Sequence, residues 1–120
     1  MGPSSVNNLR IWHLGMEIVR DCYSLTADWP KHELVGLTSQ VRRAAVSIPS
    51  NLAEGRGRGS NAEMARFGQI ALGSVYELDT LLQIAADLRF AHAERILSIR
   101  EQLESLSKQI ASFVKARKAA

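Results

Sequence analysis

Residues 34–59, LVGLTSQVRRAAVSIPSNLAEGRGRG, decide the fold. At about 100° per residue, Leu34, Leu37, Val41, Ala44, Ala45, Ile48 and Leu52 fall in one arc, the apolar stripe of an amphipathic helix. The stripe predicts a helix over 34–54. Pro49 stands inside it, where it removes a backbone donor and crowds the carbonyl of Ala45. Because the apolar spacing continues to Leu52, the expectation is one kinked helix and not two. Gly55-Arg56-Gly57-Arg58-Gly59 then breaks the pattern as an interhelical loop.

Working outward, a preceding helix is predicted over about 9–27. It carries one stripe of Leu14, Ile18, Cys22 and Leu25, and a second of Trp12, Met16, Val19 and Tyr23. Trp29-Pro30 closes it, because the residue before a proline resists the helical region. After the glycine loop, Ser60 followed by Glu63 reads as a capping box. The helix it opens buries Met64, Phe67, Ala71, Val75, Leu78, Leu82 and Ala85, with Leu72 and Tyr76 well off that face. A turn near 88–91 leads to a last helix over about 92–115. Its Ile96, Ile99, Leu103, Leu106, Ile110 and Phe113 alternate by three and four, as in a coiled-coil seam. The fold class expected is all-α, an antiparallel up-and-down four-helix bundle with a proline-kinked second helix. Residues 1–8 read as a disordered leader, 9–116 as the bundle and 117–120 as a basic tail.

With 120 residues, 46% hydrophobic and 22% charged, the chain suits one globular domain. A single cysteine, Cys22, excludes an internal disulfide framework and points to a reducing, cytoplasmic setting. No apolar run approaches the roughly 18 residues of a membrane span, and the start lacks the form of a signal peptide. The net charge of +3 permits an anionic partner without requiring one.

Four constellations bear on function. In the glycine-arginine loop, backbone N–H groups beside a helix start, with Arg56 and Arg58, could hold phosphate. The alternative is a plain turn with solvated arginines. The loop lacks the lysine of a nucleotide-binding P-loop. Second, Arg43, Ser47, Asn51 and Glu54 form a polar stripe. With Glu77 on the next helix they suggest a structural network, with Arg43 pairing Glu77 or Glu54. Third, His13, His32 and His92 have no ligand-spaced neighbours, so neither metal nor cofactor is expected. Cys22 lies on an apolar stripe as a small hydrophobe, and no catalytic residue is assigned. Fourth, Trp12, Met16, Val19, Tyr23, Leu72 and Tyr76 are surplus apolar surface, which marks an oligomer interface.

The run Leu37-Thr38-Ser39-Gln40-Val41-Arg42-Arg43-Ala44-Ala45-Val46-Ser47-Ile48-Pro49-Ser50-Asn51-Leu52-Ala53-Glu54-Gly55 resembles the signature of a four-helix bundle family. Its members include proteins encoded within intervening sequences of bacterial large-subunit ribosomal RNA genes. Gly73-Ser74 with Glu77-Leu78 resembles a second family block, and Trp12, Tyr23 and Trp29-Pro30 resemble first-helix elements. The resemblance covers about residues 10–90. It implies a small bacterial cytosolic protein that forms ring-shaped homo-oligomers, with pentamers as precedent. The accessory bundle proteins of diversity-generating retroelements, which contact a reverse transcriptase and nucleic acid, are similar. The matching positions are Arg42, Arg43, Asn51, Glu54 and Glu77.

The leading functional expectation is a non-enzymatic oligomeric bundle that meets structured RNA or a nucleic-acid-handling protein. Arg42, Arg56, Arg58, Lys115, Arg117 and Lys118 are its expected phosphate contacts. The alternative is a protein-interaction scaffold without nucleic acid.

Overall fold

The computed structural model describes residues 3–120. Four long helices account for most of them: α1 (Arg10–Thr26), α2 (Leu37–Arg58), α3 (Asn61–Asp87) and α4 (Ala93–Ala119). No strand occurs among the described residues. Each helix packs on its neighbours in sequence, and α1 also packs on α4, a bundle arrangement measuring 45 × 24 × 19 Å.

Most residues of the predicted stripes form the core, while Leu14 and Phe113 are only half-buried against it. Ile18, Cys22 and Leu25 of α1 meet Val41, Ala44, Ala45, Ile48 and Leu52 of α2 in one buried cluster. Val75, Leu78 and Leu82 of α3 and Ile96, Ile99, Leu103, Leu106 and Ile110 of α4 complete it. Burying each large aliphatic side chain stabilises the fold by about 1.5–3 kcal/mol relative to leaving it exposed. Of the second α1 stripe, Trp12, Met16 and Val19 are half-buried and Tyr23 is exposed.

α2 runs unbroken through Pro49. A helix can accommodate a proline where the surrounding packing holds both halves in place. Here α1 lies directly over it: a Cβ added at Gly15 would come 3.4 Å from Ile48 Cγ2 and from Pro49 Cβ and Cδ.

Several local expectations are corrected. Pro3–Asn8 winds as 3-10 turns, and Val6 packs against the core, where a disordered leader was expected over 1–8; Met1 and Gly2 lie outside the described residues. Helix α2 begins at Leu37, not Leu34. A 3-10 turn at Lys31–Glu33 intervenes, and the Glu33 carboxylate accepts from the Leu37 N–H at 3.0 Å, which starts the helix there. Leu34 is consequently 58% exposed rather than in the core.

The largest correction concerns the glycine-arginine segment. Gly55, Arg56, Gly57 and Arg58 are the last turn of α2, and the chain breaks only at Gly59, in the left-handed region with φ 84°. The connection has shrunk to Gly59-Ser60. The Ser60 hydroxyl accepts from Glu63 N–H at 3.1 Å, one half of the expected capping box, while the Glu63 carboxylate pairs with Arg66 instead of returning to Ser60. A glycine at 55 serves close approach: a Cβ there would lie 2.9 Å from Phe67 Cβ and 3.2 Å from Met64 Cα. The expected basic tail is also helical, since α4 continues to Ala119.

The α3–α4 connection turns on Arg89, a non-glycine residue at φ 58°. Phe90 N–H donates to Ala85 O at 3.1 Å, a helix-ending pattern that favours glycine at the left-handed position. Phe90 then meets the ring of Trp29 edge-on at 5.6 Å between centroids.

Candidate functional site

One end of the bundle collects cations from three helices. The Gly55–Phe67 approach sets the end of α2 against the start of α3. A Cβ at Gly68 would lie 2.8 Å from Val114 Cγ2, so the end of α4 closes on the same turns of α3. Arg56 and Arg58 of α2 thereby share an end with Lys115, Arg117 and Lys118 of α4. Arg66 of α3 lies among them.

Three of the arginines here, Arg58, Arg66 and Arg117, lie over aromatic rings. The guanidinium carbons of Arg58 and Arg66 lie 4.9 and 5.0 Å from the centroid of Phe67. That of Arg117 lies 4.5 Å from Phe113. Such contacts combine ring electrostatics with packing of the planar group. Arg58 also pairs with Glu54 at 3.2 Å and Arg66 with Glu63 at 3.3 Å, both on exposed helix surface. The Nη1 of Arg56 lies 4.0 Å from Met64 Sδ. The Nε atoms of Arg56 and Arg117 are shielded from solvent and have no acceptor. Glu54 and Glu63 are thus each engaged by one arginine, while Arg56 and Arg117 form no ion pair among the described residues.

Arg42 is not part of this end. Its Nε donates to Thr26 Oγ1 at 2.9 Å, and its guanidinium lies 4.6 Å over Tyr23. Thr26 Oγ1 in turn donates to Cys22 O at 2.8 Å, so Arg42 helps to close α1. Arg66 is the cation that sequence reasoning missed. Its place beside Arg58 comes from tertiary packing, which sets both over the ring of Phe67.

The polar stripe forms a smaller network than expected. Ser47 and Ser74 share a hydrogen bond of 2.7 Å between α2 and α3. Asn51 donates to Ser47 O at 2.8 Å and to Ser47 Oγ at 3.0 Å. Arg43 and Glu77 are exposed and make no ion pair with each other, and Glu54 is taken by Arg58. Ser74 replaces Glu77 as the α3 member because its short hydroxyl reaches a close helix contact.

The surplus apolar residues fall on separate faces. Trp12, Met16 and Val19 line a shallow groove between α1 and α2 with Val46, Pro49 and Ala53, about 290 Å3 in volume. Leu72 packs partly against the core, whereas Tyr76 is 63% exposed. Tyr76 borders a second groove between α3 and α4, with Leu97 and Arg100. Arg100 clasps Asp79 through Nε to Oδ1 at 2.8 Å and Nη2 to Oδ2 at 3.2 Å, and also contacts Gln83. The hydrogen bond to Asp79 holds the Arg100 pKa above its ordinary value.

The histidines are apart: His13 bonds Asn7 O at 2.8 Å, His32 lies by Glu33, and His92 caps α4 without a side-chain bond. Among the described residues no group of three His, Cys, Asp or Glu side chains is placed to hold a metal ion. Burial, aided by the charge of Asp21, pushes the Cys22 thiol up to about 12. A protonated, enclosed thiol is a poor nucleophile. Among the described residues no helix is long and apolar enough to cross a membrane.

These features define an all-α bundle whose distinctive surface is a stacked-arginine end. The family model described as 23S rRNA-intervening sequence protein matches residues 7–112, and the chain belongs to that family. A search of curated proteins returned no match.

Proposed function

We propose that this chain is a non-catalytic, RNA-associated bundle that acts in the bacterial cytoplasm as a closed homo-oligomer, a pentamer on the family resemblance. The observation that carries the reading is the gathering of Arg56, Arg58, Arg66, Lys115, Arg117 and Lys118 at one end. The family's connection with ribosomal RNA intervening sequences supports RNA as the partner. A ring repeats each patch, so modest charge per subunit becomes useful avidity when several patches meet one RNA. The helices run antiparallel, up and down, with Pro49 bending α2. The Ser47–Ser74 and Asp79–Arg100 bonds, at opposite spacing along their helices from the Gly55 and Gly68 contacts, support that topology.

The test is binding of a structured RNA hairpin across a salt series. Each phosphate contact releases counterions, so affinity falls steeply with salt. Replacing Arg56 and Arg58 together by alanine weakens binding and flattens that slope, with folding intact. Absence of binding at low salt to both the hairpin and an unpaired RNA overturns the RNA role.

A specific observation favours a second reading, a scaffold that assembles or engages proteins without RNA. The α1–α2 groove of Trp12, Met16 and Val19 is apolar and open. In a ring it is covered by another surface of the next copy, and Tyr76 supplies an exposed apolar counterpart. Light scattering distinguishes assembly from a monomer of 13.2 kDa.

A further inference from the structure

Most cations at the basic end have a reason to be there that needs no ligand. Arg56, Arg58, Arg117 and Lys118 close helices, where the backbone carbonyls carry partial negative charge. Arg66 does not fit that account. It lies in the second turn of α3, near the positive end of the helix, where Glu63 is the side chain the dipole favours. Its side chain is 62% exposed, so it does not serve the core either.

Its placement does serve a surface. Arg66 and Arg58 lie over one ring, so their guanidinium carbons are at most about 10 Å apart, being 5.0 and 4.9 Å from its centroid. Each gives a single nitrogen to a carboxylate, Nη1 of Arg66 and Nε of Arg58, and makes no other hydrogen bond to the described residues. The remaining N–H groups stay available. Arg117 is fixed in the same manner on Phe113. Side chains already held by packing lose little further freedom on binding, which favours a rigid array of anions.

The same stacking removes an alternative. Proteins hold unpaired strands largely by laying bases on aromatic faces. Phe67 is buried, and Phe113 is half-buried beneath Arg117. Phe67 and Phe113 thus present arginine over the ring at these helix ends, where a base would otherwise stack.

We infer that Arg58, Arg66 and Arg117 take the sugar-phosphate backbone of double-helical RNA, contacting phosphates and leaving the bases stacked. This rests on the RNA association proposed above and specifies its ligand. Double-stranded RNA is recognised by shape and backbone, which a fixed set of guanidinium groups can match.

The experiment compares the full chain binding an RNA hairpin and an unpaired RNA of equal length, by fluorescence anisotropy at several salt concentrations. The hairpin binds at least about tenfold tighter. Arg66→Ala weakens hairpin binding several-fold and lowers the salt slope by about one. Arg66→Lys keeps the slope but not the full affinity, because it retains charge without the planar stack. Circular dichroism and light scattering check fold and assembly; if Arg66→Ala fails to fold, Arg66→Lys and Arg117→Ala are the variants read. Equal or tighter binding of the unpaired RNA, or wild-type hairpin affinity in folded Arg66 and Arg117 variants, overturns this inference while leaving RNA association standing. Binding of neither RNA at low salt overturns the RNA reading itself and this inference with it.

Discussion

Two glycines in the last turn of α2, two residues apart, should respond oppositely to the same substitution. At Gly55 an added Cβ would lie 2.9 Å from Phe67 Cβ, 3.2 Å from Met64 Cα and 3.3 Å from Glu63 O. Two of those three atoms are backbone, so relief requires α2 and α3 to separate. At Gly57 an added Cβ meets nothing within 4 Å. Alanine in a helix interior is favoured over glycine by up to about 1 kcal/mol, and both sites offer that gain, reduced by their nearness to the helix end. Forcing a methyl group into a filled contact costs about 1–3 kcal/mol. Gly55→Ala therefore destabilises by about 1–2 kcal/mol, while Gly57→Ala stabilises by a few tenths to about 1 kcal/mol. Urea denaturation at one fixed protein concentration measures both, since assembly makes stability depend on concentration. If Gly55→Ala proves as stabilising as Gly57→Ala, the close approach that turns the glycine-arginine segment into helix is wrong.

Arg89→Gly should stabilise by about 1 kcal/mol, because φ 58° suits glycine and strains arginine; thermal melts check the sign. Ser47→Ala leaves Ser74 and Asn51 each short of a partner and should cost about 1 kcal/mol, whereas Arg43→Ala, outside that network, should fall within about 0.5 kcal/mol of wild type by the same denaturation assay. Asp79→Asn loses the two-point clasp on Arg100 but at a partly exposed site, so about 1 kcal/mol or less is expected, diminishing in high salt. Cys22 has a folded-state pKa of about 12 against an ordinary 9.0, so the unfolded chain ionises first. Its contribution is complete below the unfolded value and is lost as pH rises through the folded one. Wild type should therefore lose stability with rising alkaline pH more steeply than Cys22→Ala; parallel pH profiles would refute this.

What was legible in the sequence followed from periodicity, and what was hidden depended on neighbours that periodicity does not name. The apolar arcs of all four helices located the core, because burial imposes the same helical spacing on every packed face. Leu34 misled because its spacing fits the α2 stripe, while Pro30, the following 3-10 turn and the Glu33 cap delay the helix to Leu37. Gly55 and Gly57 misled for a different reason. Glycine marks both a break and a close approach, and a single sequence does not distinguish them until the partner is known. Here the partner is Phe67, and that one contact changes the functional argument as well as the fold. As a loop, residues 55–59 would offer converging backbone N–H groups to an anion. As a helix they spend most of those groups on internal hydrogen bonds, so any anion must be met by side chains. The same contact that closes the loop brings Phe67 under Arg58 and beside Arg66. Backbone chemistry is lost at this end and a stacked-guanidinium surface replaces it, which is why Arg66 and not a glycine N–H is the group to test.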